Sequence, residues 1–343
     1  MTSMPLALRL LLLLVALLGM GCGAAANQPA TGATGAFRPV PRRPSKPAVL
    51  VLMPDTPQAA QVWTGLQSEL ASDFDVITSR IEKDSTLEEL TAAIDQTRPA
   101  CLVLLNNPTL RLYKHYQQSR PKGTHFLPAI AVMTSFLEES ARDVQNLTGI
   151  AYEVPGVIQF VKLRSIVARP VRRVGVVYRQ PFRAYVTRER QLASIEQVEV
   201  VGKEVPRDPD QGAVQTALTE LLDRDRVDAL WVLNDNALLS PELISSVWLP
   251  SVNGSTHIPV IVGVPTLLGK SYPVGSLAMV PDHVALGVQT ANMVFDLADK
   301  HWQLGDHAIK LPISIKTLVE VQQVRDYFGL QPGGLDNIDE AVE

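Results

Sequence analysis

Cysteine is scarce in this sequence: its 343 residues include two cysteines, Cys22 and Cys101. Because Cys22 is predicted below to carry a lipid, one other thiol, that of Cys101, remains in the body of the chain. A single thiol cannot form an internal disulfide, which excludes a fold held together by disulfides. Cys101 lies inside the apolar run 100–105, so we predict a buried core thiol rather than a nucleophile.

Recognisable enzyme motifs are also missing. The sequence has no Gly-x-Ser-x-Gly elbow, no His-Glu-x-x-His and no Gly-x-Gly-x-x-Gly after its first predicted strand. Residues 263–271 resemble a phosphate-binding loop, but five residues separate Gly263 from Gly269 where that loop needs four. The six histidines are scattered, and none has metal-ligand spacing. We therefore expect neither an enzyme nor a protein that carries a cofactor or metal.

The sequence has no excess of basic charge. It contains 31 Lys and Arg against 35 Asp and Glu, which gives a formal net charge of −4. This balance argues against nucleic acid as a partner. The length and the hydrophobic content of 46% are sufficient for one large α/β unit or for two lobes.

The N-terminus carries a compartment signal. Arg9 precedes an apolar run, 10–18, that is too short to span a bilayer, and this arrangement is typical of a secretory signal peptide over residues 1–21. Cys22 follows directly, so we predict a lipoprotein signal in which Cys22 is lipidated. An ordinary signal peptide, or an uncleaved anchor with an incidental cysteine, is the alternative. Gly23 rather than Asp comes next, which by resemblance to the Gram-negative sorting rule favours the outer membrane.

Residues 22–47 are rich in Ala, Gly, Thr and Pro and are predicted to form a flexible linker. From Ala48 onwards, short apolar strands alternate with amphipathic helices, and the alternation restarts near residue 153. We therefore predict an α/β fold of two Rossmann-like lobes with parallel sheets, with an eight-fold barrel as the alternative. The predicted domains are 48–152 plus 283–308 for lobe 1, 153–282 plus 309–330 for lobe 2, and an acidic tail, 331–343.

Short polar side chains follow many of the predicted strands. Ligands of parallel α/β sheets bind beyond the carboxyl ends of strands, where such groups can orient a small polar molecule. The same residue types also cap helices, which is the alternative at each position. Asp235 is the first candidate for a carboxylate that faces the ligand and pairs with an ammonium group. The candidate ligand-binding residues are Asp55, Thr56, Asn106, Asn107, Thr134, Ser135, Gln180, Asn234, Asp235, Asn236, Pro265 and Asp282.

Three stretches carry a family resemblance: residues 147–150 through 170–178, residues 227–236 and residues 282–287. Together they resemble ABC-type substrate-binding proteins of the tryptophan- and tyrosine-binding group. The resemblance implies a type I periplasmic-binding fold, in which ligand binds in the cleft between two lobes joined by three crossovers. Mapped onto this chain, the crossovers fall near 152–156, 279–283 and 308–312.

The resemblance also implies a function. A small polar or amino-acid-like solute would be captured between hinged lobes on the periplasmic side of the cell envelope and delivered to an ABC permease. An envelope ligand sensor or adaptor that kept the fold without a transport role is the alternative. The expected partners are the solute, the permease and the membrane through the N-terminal lipid, with no nucleic acid, and the protein is expected to be a monomer.

Overall fold

The computed structural model describes residues 46–82, 84–253, 257–269, 272–305 and 308–342. The predicted signal peptide, the lipidated Cys22 and nearly all of the predicted linker lie outside these residues. Over the described ranges, no helix combines the length and the apolar character needed to cross a bilayer.

The first lobe is built on five strands: β1 (Ala48–Met53), β2 (Asp75–Arg80), β3 (Cys101–Leu105), β4 (Ala129–Thr134) and β5 (Leu147–Ala151). They form one sheet in the order β2-β1-β3-β4-β5, and every pairing in it is parallel. Every residue of β3 is buried, because helices cover both faces of the sheet. The helices that follow these strands are α1 (Pro57–Leu70), α2 (Leu87–Thr97), α3 (Asn107–Gln118) and α4 (Leu137–Ser140).

Local sequence signals fix several of these elements. Thr86 accepts a hydrogen bond from the amide of Glu89 while the Glu89 side chain accepts one from the Thr86 amide, and this capping box begins α2. Cys101 is fully buried at the start of β3, and burial raises the pKa of its thiol to about 12. The prediction of a core thiol is therefore confirmed.

The second lobe is built on seven strands: β6 (Arg173–Arg179), β7 (Glu199–Val205), β8 (Ala229–Val232), β9 (Val260–Val262), β10 (Leu277–Pro281), β11 (Ile315–Glu320) and β12 (Glu340–Val342). Their order is β12-β11-β10-β9-β8-β6-β7. The pairing of β10 with β11 is antiparallel and the others are parallel. Two open sheets rule out the alternative of a closed barrel and confirm the predicted fold class.

The remaining helices are α5 (Gly156–Ile166), α6 (Arg183–Ile195), α7 (Gln211–Thr219), α8 (Pro241–Leu243), α9 (Leu249–Val252), α10 (His283–Asp299) and α11 (Val321–Gln323). Shorter helical turns extend some of them: π-helical turns at Glu220–Arg224, Ile244–Trp248 and Val324–Phe328, and 3₁₀ turns at Gln180–Phe182 and Pro265–Leu267. The chain passes from the first lobe to the second between β5 and α5. It returns between β10 and α10, and crosses again between α10 and β11.

Helix α10 packs against α1 of the first lobe at very short range. A Cβ atom on Gly65 would lie 2.1 Å from the carbonyl oxygen of Val284, and one on Gly287 would lie 2.1 Å from the carbonyl oxygen of Val62. The two helix backbones are therefore in direct contact, which holds α10 on the first lobe although it directly follows β10 of the second sheet.

The C-terminal residues add a strand that the sequence patterns did not predict. β12 lies within the predicted acidic tail and pairs with β11, in a register that places Leu318 opposite Glu340. Asp339, just before it, accepts a hydrogen bond from the amide of Thr317 at 2.7 Å. A strand of three residues has too little periodicity to recognise locally, and its pairing depends on contacts over more than twenty residues.

Candidate functional site

Strand ends of the two sheets meet directly. Asn234, just beyond β8 of the second lobe, donates a hydrogen bond from Nδ2 to the Ser135 Oγ atom of the first lobe at 3.1 Å. Ser135 is in turn held by Asn107, whose Oδ1 accepts from the Ser135 amide and whose Nδ2 donates to the Ser135 carbonyl, both at 2.9 Å. Three of the predicted site residues are thus brought together across the cleft between the lobes.

Next to this contact lies a small cavity of about 20 Å³, which we call the strand-end cavity. Gln159, which is buried, donates from Nε2 to the Val154 carbonyl at 2.6 Å, and its Oε1 has no partner among the described residues. A cavity of this size holds about one water molecule, so a solute fits there only when the lobes separate. Residues that line it include Tyr152, Glu153, Gln159, Tyr185, Trp231, Asn234 and Gly263.

A second cavity, of about 230 Å³, lies between α4 of the first lobe and α6 of the second, beside the first and third crossings of the chain. We call it the hinge cavity. Its polar lining consists of Glu138, Glu139, Glu153, Tyr185, Arg188 and Glu189. Its apolar lining includes Phe136, Leu137, Leu192, Ile309 and Leu311. Because Glu153 and Tyr185 line both cavities, the two are neighbours.

Phe136 joins the lobes through an aromatic contact. It follows Ser135 in the first lobe, but its ring stacks on Phe182 of the second lobe at 3.9 Å between centroids and meets Tyr185 edge-to-face at 5.1 Å. Phe136 is 3% exposed and belongs to the hydrophobic core of the second lobe. Its φ of +51° is in the left-handed region, which non-glycine residues seldom occupy. Sequence reasoning missed Phe136, although an aromatic residue directly after the polar tip of β4 was a usable signal.

Asp235, the first candidate from the sequence, is held inside the second lobe. It is 3% exposed, and its carboxylate accepts from Arg179 Nε at 2.6 Å and from Arg179 Nη2 at 2.8 Å. It also accepts from the amide of Ala237 at 3.1 Å. Asp235 therefore ties the end of β6 to the end of β8, next to Asn234. A direct contact of Asp235 with a solute stays a prediction.

Several other candidates cap helices. Thr56 accepts from the Ala59 amide at 3.2 Å at the start of α1, and Asn106 accepts from the Thr109 amide at 3.0 Å at the start of α3. Asp282 accepts from the amides at the start of α10 and pairs with Lys316 at 3.4 Å. The alternative role that the sequence allowed is thus observed at these three positions.

The remaining candidates lie in different surroundings. Asp55 pairs with Arg80 at 3.1 Å on the surface. Thr134 is fully buried, and its Oγ1 has no hydrogen-bond partner in the part of the chain that the structure describes. Gln180, Asn236 and Pro265 are exposed near strand ends of the second lobe.

Three carboxyl groups of the hinge cavity have raised pKa values. Burial raises the pKa of Glu153 from 4.5 to about 8, and the nearby charges of Glu139 and Glu189 raise it further. Hydrogen bonds from backbone amides, of which that of Phe136 has the largest effect, lower the pKa and partly oppose the shift. Burial is also the main cause that raises the pKa of Glu139 and of Glu189. Glu139 belongs to the first lobe, Glu153 to the first crossing and Glu189 to the second lobe. Across the described ranges, no group of three or more His, Cys, Asp or Glu side chains is arranged to hold a metal ion.

The raised pKa of Glu153 predicts a pH-dependent stability. Because the folded state binds this proton more tightly than the unfolded state, the contribution is fully present below pH 4.5 and is lost as the pH rises through about 8. The free energy of unfolding of the Glu153→Gln variant, measured by urea denaturation across this range, is expected to fall less than that of the wild type. Equal losses in the two proteins would contradict the assignment.

Comparison with solved structures gives matches to the fold over most of the chain. The ligand-free, open structure of a substrate binding protein with adhesive properties from Clostridium difficile matches with a TM-score of 0.61 and 16% identity, covering 86% of this chain and 98% of that chain. An ABC domain in complex with L-Trp from Streptococcus pneumonia matches with a TM-score of 0.52 and 18% identity, covering 86% of this chain and 99% of that chain. An arabinose binding protein from Geobacillus stearothermophilus matches with a TM-score of 0.50 and 14% identity, covering 83% of this chain and 100% of that chain.

At these identities the matches establish the fold: two α/β lobes with largely parallel sheets, as in type I periplasmic-binding proteins. The three neighbours are described as an ABC domain in complex with L-Trp, a substrate binding protein and an arabinose binding protein. No protein-family model matches the sequence, and no curated protein matches it.

Proposed function

We propose that this chain is an extracytoplasmic solute-binding protein that captures a small polar or amino-acid-like ligand between its lobes and delivers it to an ABC permease. The observation that carries the proposal is the meeting of the strand ends, where Asn234 of one lobe contacts Ser135 of the other at 3.1 Å. Strand ends of parallel sheets are where α/β folds bind ligands, and a cleft between two lobes exposes two such sets at once.

Solute would drive closure because it contacts both lobes at once in the closed form and one lobe in the open form. In the bound form, Asn234 and Ser135 replace part of their contact with each other by contacts with the solute. Asn107 holds Ser135 in place, and Asp235 holds the end of β8 in place. A hinge motion of this kind needs flexible crossings between rigid lobes, and the chain crosses between the lobes three times.

The N-terminal segment supplies the proposed location of the protein. Lipid on Cys22 would anchor the protein to the envelope, with the linker holding the lobes away from the bilayer on the periplasmic side. Gly23 after the lipidated residue favours the outer membrane. Assignment to the tryptophan- and tyrosine-binding group rests on the sequence segments near 147–178, 227–236 and 282–287.

The proposal predicts that a solute stabilises the protein and compacts it. A thermal-shift screen of amino acids, nucleosides and sugars is expected to contain at least one compound that raises the melting temperature. Small-angle scattering should show a smaller radius of gyration with that compound. The Asn234→Ala variant is expected to bind it up to about tenfold more weakly, the value of one lost hydrogen bond.

Asn253 provides the control, since it is an exposed asparagine at the end of α9, remote from the strand ends in the fold. The Asn253→Ala variant should bind as the wild type does. A screen in which no compound changes the melting temperature or the radius of gyration would refute the proposed function.

A further inference from the structure

The hinge cavity is rich in hydrogen-bond acceptors that the protein leaves unused. The Oε2 of Glu139, the Oε1 of Glu153 and the Oη of Tyr185 are all buried and have no hydrogen-bond partner among the described residues. All three residues line the same cavity of about 230 Å³. Tyr185 is 4% exposed, so its hydroxyl lies inside the protein. Buried polar atoms are nearly always paired, with protein or with a bound molecule, so three unpaired atoms beside one cavity are available to a hydrogen-bonding guest.

The charge of the cavity indicates which donor is missing. Four glutamates line it, and the one cation among its lining residues, Arg188, is paired with Glu138. Ionised carboxylates accept hydrogen bonds and cannot donate them, whereas an ammonium group offers three donors and a positive charge. A ligand that carries its own carboxylate would bring a further negative charge beside Glu139 and Glu189, where the one cation of the lining, Arg188, is already paired with Glu138.

The apolar lining indicates the rest of the ligand. Leu137 and Phe136 come from the first lobe, Leu192 from the second, and Ile309 and Leu311 from the third crossing. A volume of about 230 Å³ accommodates a compact organic body of roughly one ring, below the ~300 Å³ of a typical drug-sized site. The ring of Tyr185 already has a cation 5.5 Å from its centroid, the guanidinium of Arg188, which shows that its face lies in a position a cation can reach.

We propose that the hinge cavity binds the ammonium group of an organic amine, and that the solute captured by this protein is a compact cationic amine with an apolar body and no carboxylate. The inference rests on the proposed function and names the chemical class of its solute. Because Glu139 belongs to the first lobe, Glu189 to the second and Glu153 to the crossing between them, an ammonium group bound among them contacts both lobes and favours their closed arrangement.

Binding should release a proton. Burial keeps the carboxyl of Glu153 protonated at neutral pH because it raises its pKa to about 8, and an ammonium group favours the ionised form. The charged or titratable groups that face it are Glu138 and Glu139 of α4, Tyr185, Arg188 and Glu189 of α6, and Tyr152 beside it in the crossing. Amine affinity is therefore expected to increase as the pH is raised from about 6 to about 8.

The test uses phenethylamine as the probe and three compounds that share its ring: phenethyl alcohol, phenylalanine and 3-phenylpropionate. By isothermal titration calorimetry at pH 8, phenethylamine is expected to bind at least about tenfold more tightly than the alcohol, because a hydrogen bond to a charged group is stronger than a neutral one. Phenylalanine and 3-phenylpropionate should bind more weakly still. Titrations in two buffers of different ionisation enthalpy should show proton release with the amine and none with the alcohol.

Variants locate the site. Glu153→Gln and Glu139→Gln keep the shape of the side chain and are each expected to weaken phenethylamine binding about tenfold or more, and Glu153→Gln should abolish the proton release. Glu69 on the exposed face of α1 provides the matched control, and Glu69→Gln should leave binding unchanged. Urea denaturation of Glu153→Gln at pH 8 shows whether the variant is folded, so that a loss of amine binding can be distinguished from unfolding.

The outcomes separate the two proposals. If the alcohol binds as tightly as the amine, if phenethylamine does not bind, or if both glutamine variants retain full affinity, the amine assignment is overturned. If a sugar, nucleoside or anion binds and closes the lobes while phenethylamine does not, the amine assignment fails and the solute-binding function stands. If no compound in either panel binds, both fail.

Discussion

The Gly65→Ala variant is expected to lose about 3 kcal/mol of unfolding free energy, a large effect for one added methyl group. The new Cβ atom would lie 2.1 Å from the carbonyl oxygen of Val284 and 3.1 Å from the amide nitrogen of Val288, both backbone atoms of α10. A flexible side chain could move aside, but backbone atoms of a packed helix can move only if the helix itself shifts. Gly287→Ala should behave similarly, because its Cβ would meet the Val62 carbonyl of α1 at the same distance.

Gly212 supplies a matched control in another helix. It lies in the exposed first turn of α7, where an added Cβ would come no closer than 3.5 Å to Asp210. Gly212→Ala is therefore expected to leave stability unchanged or to raise it slightly, because alanine is the better helix former. Urea denaturation of the three variants would contradict the contact between α1 and α10 if Gly65→Ala and Gly212→Ala proved equally stable.

The Asp235→Ala variant is expected to lose about 3 kcal/mol or more of unfolding free energy, independently of any solute. Asp235 is 3% exposed, and its removal leaves the Arg179 guanidinium, 17% exposed, without its two carboxylate hydrogen bonds at 2.6 and 2.8 Å. Breaking one side of a buried ion pair costs more than the pair contributes, because the remaining charge loses its compensation while staying away from water. Thermal and urea denaturation without ligand would measure the loss.

A surface pair provides the comparison. Asp55 and Arg80 are joined at 3.1 Å, yet their side chains are 70% and 63% exposed, so Asp55→Ala should change stability by less than about 1 kcal/mol. The double variant Arg179→Leu/Asp235→Leu should lose less than the sum of the two single variants, since neither charge is then left alone. Additive losses would show that the two side chains do not act as a pair.

The architecture could be predicted from the sequence because its signals are local. A continuous apolar run such as 101–105 predicts a strand buried on both faces, and Thr86 with Glu89 predicts the start of α2 within four residues. The alternation of these units then restricts the fold to parallel sheets. β12 was not predictable in this way, because it is defined by pairing with β11 rather than by any pattern of its own.

The candidate site could be predicted only in part. Asn234, Ser135 and Asn107 were found because strand order alone places them at the carboxyl ends of strands, where they do meet. The bidentate pair of Asp235 with Arg179 was not foreseen, although both residues follow or end a predicted strand. Glu153 was missed as well. A glutamate in the short crossing between β5 and α5, flanked by apolar residues, would have been the usable signal.

The position of Phe136 has a consequence for how quickly a solute can exchange. Parting the lobes withdraws this ring from the core that contains Phe182 and Tyr185. Exposing a buried phenylalanine costs about 1.5–3 kcal/mol, which lowers the fraction of open molecules by roughly 10- to 150-fold. A solute that enters through the open form meets few receptive molecules at any instant, so the rate of capture falls by the same factor, while the affinity of the closed, bound form is unaffected. A bound solute also dissociates slowly, because the lobes must open before it can leave. Its residence time is therefore longer.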